Sequence, residues 1–299
     1  MSMTAGCTLC PRMCGVVRSG DEGRGVCGVG SLPRIARAAL HHWEEPCISG
    51  TRGSGAIFFS GCGLRCAFCQ NEAISHGGTG ETVSVGRLAQ IFAELEAQGA
   101  HNINLVTAAQ FVPAVIEALR LHRPRVPVVY NSSGYERIET LRMLEGYVDI
   151  YLPDYKYIDP AMAKLLSGAE DYPETAWAAI TEMSRQTGEP VYDADGMMLR
   201  GTLVRHLLLP GLTGDCMRIL ERIHDELPGT PVSLMGQYTP CGRALSIPGM
   251  NRRVKKKEYA RALDCMEALG LEGYRQALES ASEAFVPAFD GSGVTAKED

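Results

Sequence analysis

Three cysteines that lie close together are the residues best suited to chemistry. Cys62, Cys66 and Cys69 have the spacing C-x3-C-x2-C and follow the apolar residues 56–59. Three thiolates on one tight loop can hold three irons of a cubane iron–sulfur cluster, whereas iron–sulfur electron carriers normally use four cysteines. An open coordination position is typical of catalytic metal sites. The spacing therefore predicts a cluster with one open iron; a zinc loop or three unrelated buried thiols is the alternative.

A second group of four cysteines lies near the start of the chain, in residues 7–27, which we call the leader. Its members are Cys7, Cys10, Cys14 and Cys27, with the spacing C-x2-C-x3-C-x12-C. The leader is rich in glycine and poor in large apolar residues, so it needs a metal to order it. A tetrahedral zinc site and an auxiliary iron–sulfur cluster both fit. Four free thiols on a flexible segment are the alternative.

Residues 30–54 connect the leader to the first predicted strand, and their polar, glycine-rich end predicts an irregular segment. His42, Glu44, Glu45 and Cys47 could form a metal set. Polar residues beside a proline are more typical of a structured loop, which is the interpretation we favour. A loop that lines the cluster site is a third interpretation.

Composition indicates a soluble globular enzyme. The chain has 299 residues, of which 45% are hydrophobic and 21% are charged. The net charge of −6 gives no reason to expect nonspecific binding to nucleic acid. No apolar run approaches the ~18 residues of a membrane span, and the first residues do not resemble a signal peptide. Because seven of the 11 cysteines fall into two tight groups, metal binding in a reducing compartment is favoured, and we predict a cytoplasmic protein.

Short β-branched runs alternate with helical periods from residue 56 onward. Strands are predicted at 56–60, 101–107, 126–131, 148–152, 201–209 and 232–235. Helices are predicted at 84–99, 112–121, 136–144, 160–166, 174–187, 216–226 and 257–269. Mostly apolar strands alternating with helices indicate βαβ units and a parallel sheet covered on both faces.

Six such units predict an α/β fold, an open (βα)6 partial TIM barrel with a small cysteine-rich N-terminal leader. The predicted organisation is a leader and connecting segment at 1–54, a core at 55–286 and a disordered tail at 287–299. Parallel α/β folds bind ligands beyond the C-terminal ends of their strands.

Polar side chains follow the predicted strands at that end. The candidate ligand-binding residues are Asn131, Ser133, Asp154, Lys156, Arg205 and Gln237. Together they offer hydroxyls, amides, a carboxylate and cations, which suits a charged ligand of several parts. An arginine within an apolar strand is costly unless it is paired, which favours a role for Arg205 in the site. His206 should point the other way and pack, and Tyr135 is more simply a packing residue.

The cysteine loop, including Phe68 before its last cysteine, resembles the radical S-adenosylmethionine superfamily. From about residue 56 to residue 269 the chain resembles the activating enzymes of glycyl-radical enzymes, as typified by the pyruvate formate-lyase activating enzyme. Asp154-Tyr155-Lys156 is similar to that branch's Asp-Leu-Lys, and Arg205 precedes Pro-Gly as in that branch. The leader, with residues 42–50, resembles an iron–sulfur subgroup of the branch.

The resemblance implies a [4Fe-4S] cluster on the three cysteines, S-adenosylmethionine as ligand and a one-electron donor such as flavodoxin or ferredoxin. It implies reductive cleavage of S-adenosylmethionine to a 5′-deoxyadenosyl radical, which takes hydrogen from a substrate. A glycine in a partner glycyl-radical protein is the leading substrate. Radical modification of a peptide, a metabolite or an RNA is an alternative, as is a non-catalytic iron–sulfur protein for electron transfer or sensing.

Two positions depart from the family pattern. Thr107-Ala108-Ala109-Gln110 stands where the superfamily has Gly-Gly-Glu, which holds the amino group of the ligand. Asn131 stands where the branch has an aspartate that contributes to a monovalent-cation site. A basic run at residues 252–257 predicts a solvated face, with contact to an acidic redox partner as the alternative.

Overall fold

The computed structural model describes residues 2–3, 6–23, 25–76, 78–276 and 287–295. The strands are β1 (Ser2–Met3), β2 (Arg18–Ser19), β3 (Arg34–His41), β4 (Ser54–Phe59), β5 (Glu81–Thr82), β6 (Ile103–Val106), β7 (Val128–Ser132), β8 (Ile150–Pro153), β9 (Val191–Tyr192), β10 (Met198–Thr202), β11 (Val204–Leu207), β12 (Val232–Met235) and β13 (Gly273–Gln276). The α-helices are α1 (Pro46–Ser49), α2 (Glu72–Ser75), α3 (Val85–Ala97), α4 (Val112–Leu121), α5 (Ile138–Leu144), α6 (Pro160–Ser167), α7 (Tyr172–Thr187), α8 (Thr213–Glu226) and α9 (Lys256–Ala268). Short 3-10 helices span Ala109–Phe111 and Gly242–Ser246.

The main sheet has the strand order β5-β3-β4-β6-β7-β8-β10-β9. Strands β4, β6, β7, β8 and β10 are parallel neighbours, as predicted for βαβ units. Strand β11 continues the path of β10 and forms a parallel set with β12 and β13. A parallel bridge between Asp154 and Arg205 links the end of β8 to β11. The prediction of an α/β fold with a mostly parallel sheet is confirmed.

The helices pack apolar faces onto the sheet, as their periodicity predicts. Helix α3 buries Leu88, Ile91, Phe92 and Leu95, and its cap residue Ser84 accepts a hydrogen bond from the Arg87 amide at 3.1 Å. Helix α4 has the predicted bounds and carries its proline in the first turn. Within the described ranges, every helix is too short or too polar to span a lipid bilayer.

The connecting segment differs from the prediction. Strand β3 pairs antiparallel with β4 along its length, from Ile35 opposite Phe59 to His41 opposite Ser54. The expected boundary at residue 54 therefore falls inside the main sheet. Residues 35–40 are three alanines, one leucine, one arginine and a single β-branched residue, Ile35, which is too weak a signal to predict a strand. The pairing partner, rather than local propensity, makes this segment extended.

The prediction of a disordered tail is wrong for residues 287–295, while residues 296–299 lie outside the described part of the chain. Residues 287–295, which we call the strap, cover the free edge of β3. The Gly291 amide donates to Ala36 O at 3.0 Å, and the Ala38 amide donates to Ser292 O at 2.8 Å. Val294 is fully buried against the core. The small, polar composition hid this because the strap is held by hydrogen bonds from distant segments, those of the β3 backbone and of the Arg37 and Arg87 side chains.

Candidate active site

The loop after β4 carries the three cysteines of the C-x3-C-x2-C motif, which we call the triad. Gly61 and Arg65 both have positive φ, at 83° and 53°, so the chain turns sharply around the first cysteine. Burial raises the pKa of the Cys62 thiol, and burial together with the neighbouring Cys66 raises the pKa of Cys69 to about 12. Thiols this costly to ionise become thiolates when a metal binds them.

A central cavity of about 270 Å³ opens at the C-terminal ends of the parallel strands. The triad lines one side of it, and so do all the polar residues proposed from the sequence. These lining residues are Cys62, Cys66, Cys69, Asn131, Ser133, Asp154, Lys156, Arg205 and Gln237. The side-chain oxygen of Gln237 is buried without a hydrogen-bond partner among the described residues. The triad and the predicted ligand-binding residues thus come together at one place, whereas the leader cysteines Cys7, Cys10, Cys14 and Cys27 do not line this cavity.

Arg205 is the centre of a charged network in this cavity. Its guanidinium contacts Asp154 Oδ1 at 2.9 Å and Glu44 Oε2 at 3.0 Å, and it donates to Asn131 Oδ1 at 2.7 Å. Lys156 Nζ lies 2.5 Å from the other oxygen of Asp154. The carboxylates therefore orient both cations, which would otherwise be free to swing into the cavity.

Burial raises the pKa of the carboxyl groups in the network, and the neighbouring cations lower it. Burial raises the pKa of Asp154, but Arg205 and Lys156 outweigh it, and the net pKa is lowered. Burial raises the pKa of Glu44 and of Glu45, and Arg205 offsets only part of that effect. Asp154 is therefore the firmly ionised partner of the two cations.

The family comparison decides the class of protein. A model of the radical SAM superfamily matches residues 56–223, which is more than half of the chain and includes the triad, Asp154 and Arg205. The chain belongs to the radical SAM superfamily. It is a radical SAM enzyme, and this family implies a [4Fe-4S] cluster and S-adenosylmethionine.

Two further comparisons found a relative in sequence and a similar fold. The chain is 27% identical over 276 residues to "Uncharacterized protein MJ0674" of Methanocaldococcus jannaschii, covering 89% of this chain and 75% of that protein. The fold is similar to that of SuiB from Streptococcus suis, in crystal structures with the precursor peptide SuiA and with S-adenosylmethionine. Both superpositions have a TM-score of 0.50, at 10% and 11% identity, over 74% and 75% of this chain. The radical SAM chain spans about half the length of SuiB, at 48% and 52%.

The residues present fit the cofactors that the family implies. The triad offers thiol ligands at the wall of a cavity whose other walls carry two cations, carboxylates and amides. S-adenosylmethionine has a carboxylate, an amine, a ribose and a sulfonium, so a lining of mixed charge is complementary to it. The buried, unpartnered oxygen of Gln237 is a group that a ligand hydroxyl or amine could satisfy.

Glu44 and Glu45, which the sequence analysis placed in a possible metal set or in a loop at the cluster site, line the central cavity. They lie between β3 and α1. The structure favours the third interpretation of this segment, a loop at the cluster site, over a metal set. Cys47 is buried near Tyr274, and His42 is exposed beside Gly53. The sequence signal for these two residues was a pair of adjacent acids immediately before a proline. Proline favours the first turn of a helix, so the pair is expected just before a helix start.

The segment that replaces Gly-Gly-Glu does not place its glutamine in the cavity. Gln110 Nε2 donates to three backbone oxygens, those of Ser60 at 3.1 Å, Gly61 at 3.0 Å and Thr107 at 2.8 Å. The amide therefore braces the start of the triad loop. Thr107 lines the central cavity instead, with the unusual φ of 62° for a β-branched residue.

His206 and Tyr135 are packing residues, as interpreted from the sequence. Burial lowers the pKa of His206 to about 4, and its Nδ1 lies 2.7 Å from Tyr155 O, so the ring is neutral. The Tyr135 hydroxyl donates to Asp171 Oδ1 at 2.8 Å, and its ring stacks on Tyr172. Neither side chain lines the central cavity.

Proposed function

We propose that Cys62, Cys66 and Cys69 hold the [4Fe-4S] cluster and that S-adenosylmethionine binds beside it in the central cavity. The observation that carries this proposal is that one cavity unites the triad with every polar residue predicted for the ligand. When bound, the cluster and S-adenosylmethionine supply one-electron reductive cleavage to a 5′-deoxyadenosyl radical. Position, charge and exclusion of water are what this chain contributes.

The charged network would hold the ligand's polar groups. Arg205 is fixed by carboxylates from two directions, and the cation of Lys156 is fixed by Asp154. We propose that a ligand carboxylate is attracted to these cations, and that Asn131 and Ser133 hydrogen-bond the ribose. Preorganised charges of this kind cost little reorganisation when the ligand arrives.

The apolar wall would protect a reactive radical. Phe58, Phe59, Phe68, Ile74 and Val106 are buried and line the same cavity. A wall of this kind excludes water and offers few polar hydrogens for side reactions. The lining also draws on strands from β4 to β13, which supports the proposal of an open (βα)6 barrel: a sheet must curl for its strand ends to face one cavity.

For the substrate, we propose a glycine in a partner glycyl-radical protein. The similarity of the strand motifs to the activating enzymes supports this, and so does the shape of the site. The cavity, at about 270 Å³, is slightly smaller than the range of about 300–1,000 Å³ for ligand pockets. Trp43, which also lines it, is 61% exposed. A substrate presented on a protein loop can reach such an opening without needing room for a second small molecule.

We propose that the reductant is a flavodoxin or a ferredoxin. The exposed Arg243 donates to Arg65 O at 3.3 Å, so one exposed guanidinium group lies against the triad loop. In the predicted basic run, Arg252 pairs with Glu258 at 2.7 Å, while Arg253 and Lys255–Lys257 are exposed. Positive charge beside the triad would steer an acidic electron carrier towards it.

Anaerobic reconstitution with dithionite and S-adenosylmethionine tests the chemistry. The wild-type chain should form 5′-deoxyadenosine, and Cys66→Ala should form none because the cluster loses a ligand. Cys265→Ala, in α9 and away from the cavity, is the matched control and should behave like the wild type. Formation of 5′-deoxyadenosine by Cys66→Ala at the wild-type rate would reject the ligand assignment.

Electron paramagnetic resonance tests the substrate. A candidate glycyl-radical protein incubated with the reduced enzyme and S-adenosylmethionine should show a glycyl doublet. The same enzyme is then offered a peptide, a metabolite mixture and an RNA, with deuterium transfer into 5′-deoxyadenosine as the readout. Transfer from one of these and none from the protein would replace the glycyl proposal with that class.

A further inference from the structure

The four leader cysteines lie on adjoining turns of one small loop system. The Cys7 amide donates to Val16 O at 2.9 Å, and the Gly15 amide donates to Cys7 O at 3.1 Å, which folds residues 7–16 back on themselves. The turn at Gly25 then lies against Cys14, because a Cβ added at Gly25 would come within 2.8 Å of the Cys14 sulfur. Only glycine lets this turn, which leads to the last cysteine, approach so closely.

A buried cation faces this loop system. Arg18 is 1% exposed, and its guanidinium donates to Gln110 O at 2.8 Å, to Val29 O at 3.2 Å and to Cys7 Sγ at 3.5 Å. No ion pair joins Arg18 to a carboxylate within the part of the chain that the structure describes. A buried charge without an opposite partner is strongly unfavourable. An anionic centre at the leader thiols would supply that partner, whereas neutral thiols would not.

The arrangement of the thiols distinguishes a cluster from a single ion. A tetrahedral zinc site needs every thiolate at about 2.3 Å from one point. Across the described ranges, no three His, Cys, Asp or Glu side chains converge closely enough to hold a metal ion. That holds for the leader as it does for the triad, where each thiolate would bind a different iron of a cubane cluster. The leader thiols lie near one another, since Cys7 and Cys27 both act on the charge of Cys10, without converging on one point, and this arrangement suits an iron–sulfur cluster.

We propose that the four leader cysteines hold a second iron–sulfur cluster, ligated at every iron, with Arg18 as its buried charge partner. A cluster with four protein ligands has no open iron, so this centre does not bind S-adenosylmethionine. The proposal concerns residues outside the central cavity and does not depend on what the triad does.

The leader centre braces the loop that carries the triad. Cys10 and Cys27 share a small cavity with Cys62 of the triad, and a Cβ added at Gly63 would lie 3.3 Å from the Cys10 sulfur. Arg12 strengthens this contact, because its Nε donates to Gly63 O at 2.9 Å. Ordering of the leader by its cluster therefore stiffens the back of the triad loop.

Metal analysis of the full chain tests the proposal. After anaerobic reconstitution, the wild type should contain about eight irons per chain, against about four for a single cubane cluster. The triple variant Cys62→Ser/Cys66→Ser/Cys69→Ser should keep about four irons and show an iron–sulfur absorption band. Because that variant lacks all three triad thiols, its iron reports on the leader alone, and failure of the proposed function leaves this result unchanged.

Three comparisons complete the test. Cys10→Ser/Cys27→Ser should lose about half of the iron, whereas the matched control Cys216→Ser/Cys265→Ser should keep all of it. Arg18→Gln should lose the leader cluster faster on dilution, and Arg18→Lys, which keeps the charge, should restore part of the lifetime. About four irons with one zinc per wild-type chain would overturn the iron–sulfur assignment, and about four irons without zinc would overturn the second site altogether.

Discussion

The replacement Asp154→Asn offers the sharpest test of the charged network. Asp154 contacts Arg205 at 2.9 Å through one oxygen and Lys156 at 2.5 Å through the other. The side chains of all three are only 14% to 16% exposed. Asparagine keeps the shape, but its amide can accept from one cation only and presents hydrogens to the other. Lys156 would then lose its only salt bridge within the described chain.

The expected loss in the free energy of unfolding follows from this burial. Removing one partner of a buried ion pair costs about 3–5 kcal/mol. Arg205 keeps Glu44 at 3.0 Å, and the cavity admits some water, so we expect the lower end, about 3 kcal/mol. Glu44→Gln is the matched variant, because it removes one carboxylate partner of Arg205 but leaves both Arg205 and Lys156 paired with Asp154. It should cost about 1.5 kcal/mol, the lower end of the value of a hydrogen bond to a charged group.

Urea unfolding of the reconstituted protein measures both variants, with the S-adenosylmethionine dissociation constant as a second readout. Because the folded pKa of Asp154 is lowered, its stabilisation is complete above the ordinary aspartate pKa of about 3.9 and is lost as pH falls below it. The difference from the wild type should therefore stay constant across the neutral range. Equal costs for Asp154→Asn and Glu44→Gln would refute the reasoning, since they would show that Asp154 is not the main partner of the two cations.

Three further predictions concern stability. Gln110→Ala leaves the carbonyls of Ser60 and Gly61 without their donor and should cost about 1–3 kcal/mol in urea unfolding; no loss would show that water replaces the amide. Val294→Ala in the strap should cost about 1–2 kcal/mol by the same assay, since its side chain is fully buried. Because burial lowers the folded pKa of His206 to about 4, the unfolded chain takes up a proton first as pH falls, and stability should drop between about pH 6.5 and pH 4. His206→Phe should flatten that part of the pH profile, and an unchanged slope would argue against a buried neutral ring.

The sequence predicted the parallel core well because each part of it carries a local signal. Helix α4 and strand β12 have the predicted bounds, since a proline lies in the first turn of the helix and Pro231 immediately precedes the strand. The triad and Asp154 were identifiable because strand order alone brings the ends of parallel strands to one edge.

The parts that the sequence missed depend on contacts between distant segments. The loop with Glu44 was placed at the site only as one of three interpretations, because it reaches the cavity through the pairing of β3 with β4, which no local pattern in residues 35–40 indicates. The role of Gln110 was also hidden, because its acceptors are backbone carbonyls some 50 residues away in sequence. Backbone acceptors have no sequence signature.

The strap has a consequence for the order in which the molecule is built. Strand β3 is made before any parallel strand, yet the segment that covers its edge is made after all of them. Until then β3 presents unpaired amides and carbonyls, the feature that lets sheet edges associate wrongly. Glu44 lies in the loop that follows this strand. Its position in the site therefore becomes fixed only after the strap has paired with β3, late in synthesis. Such late, long-range pairing makes folding slow and leaves partly made chains open to aggregation.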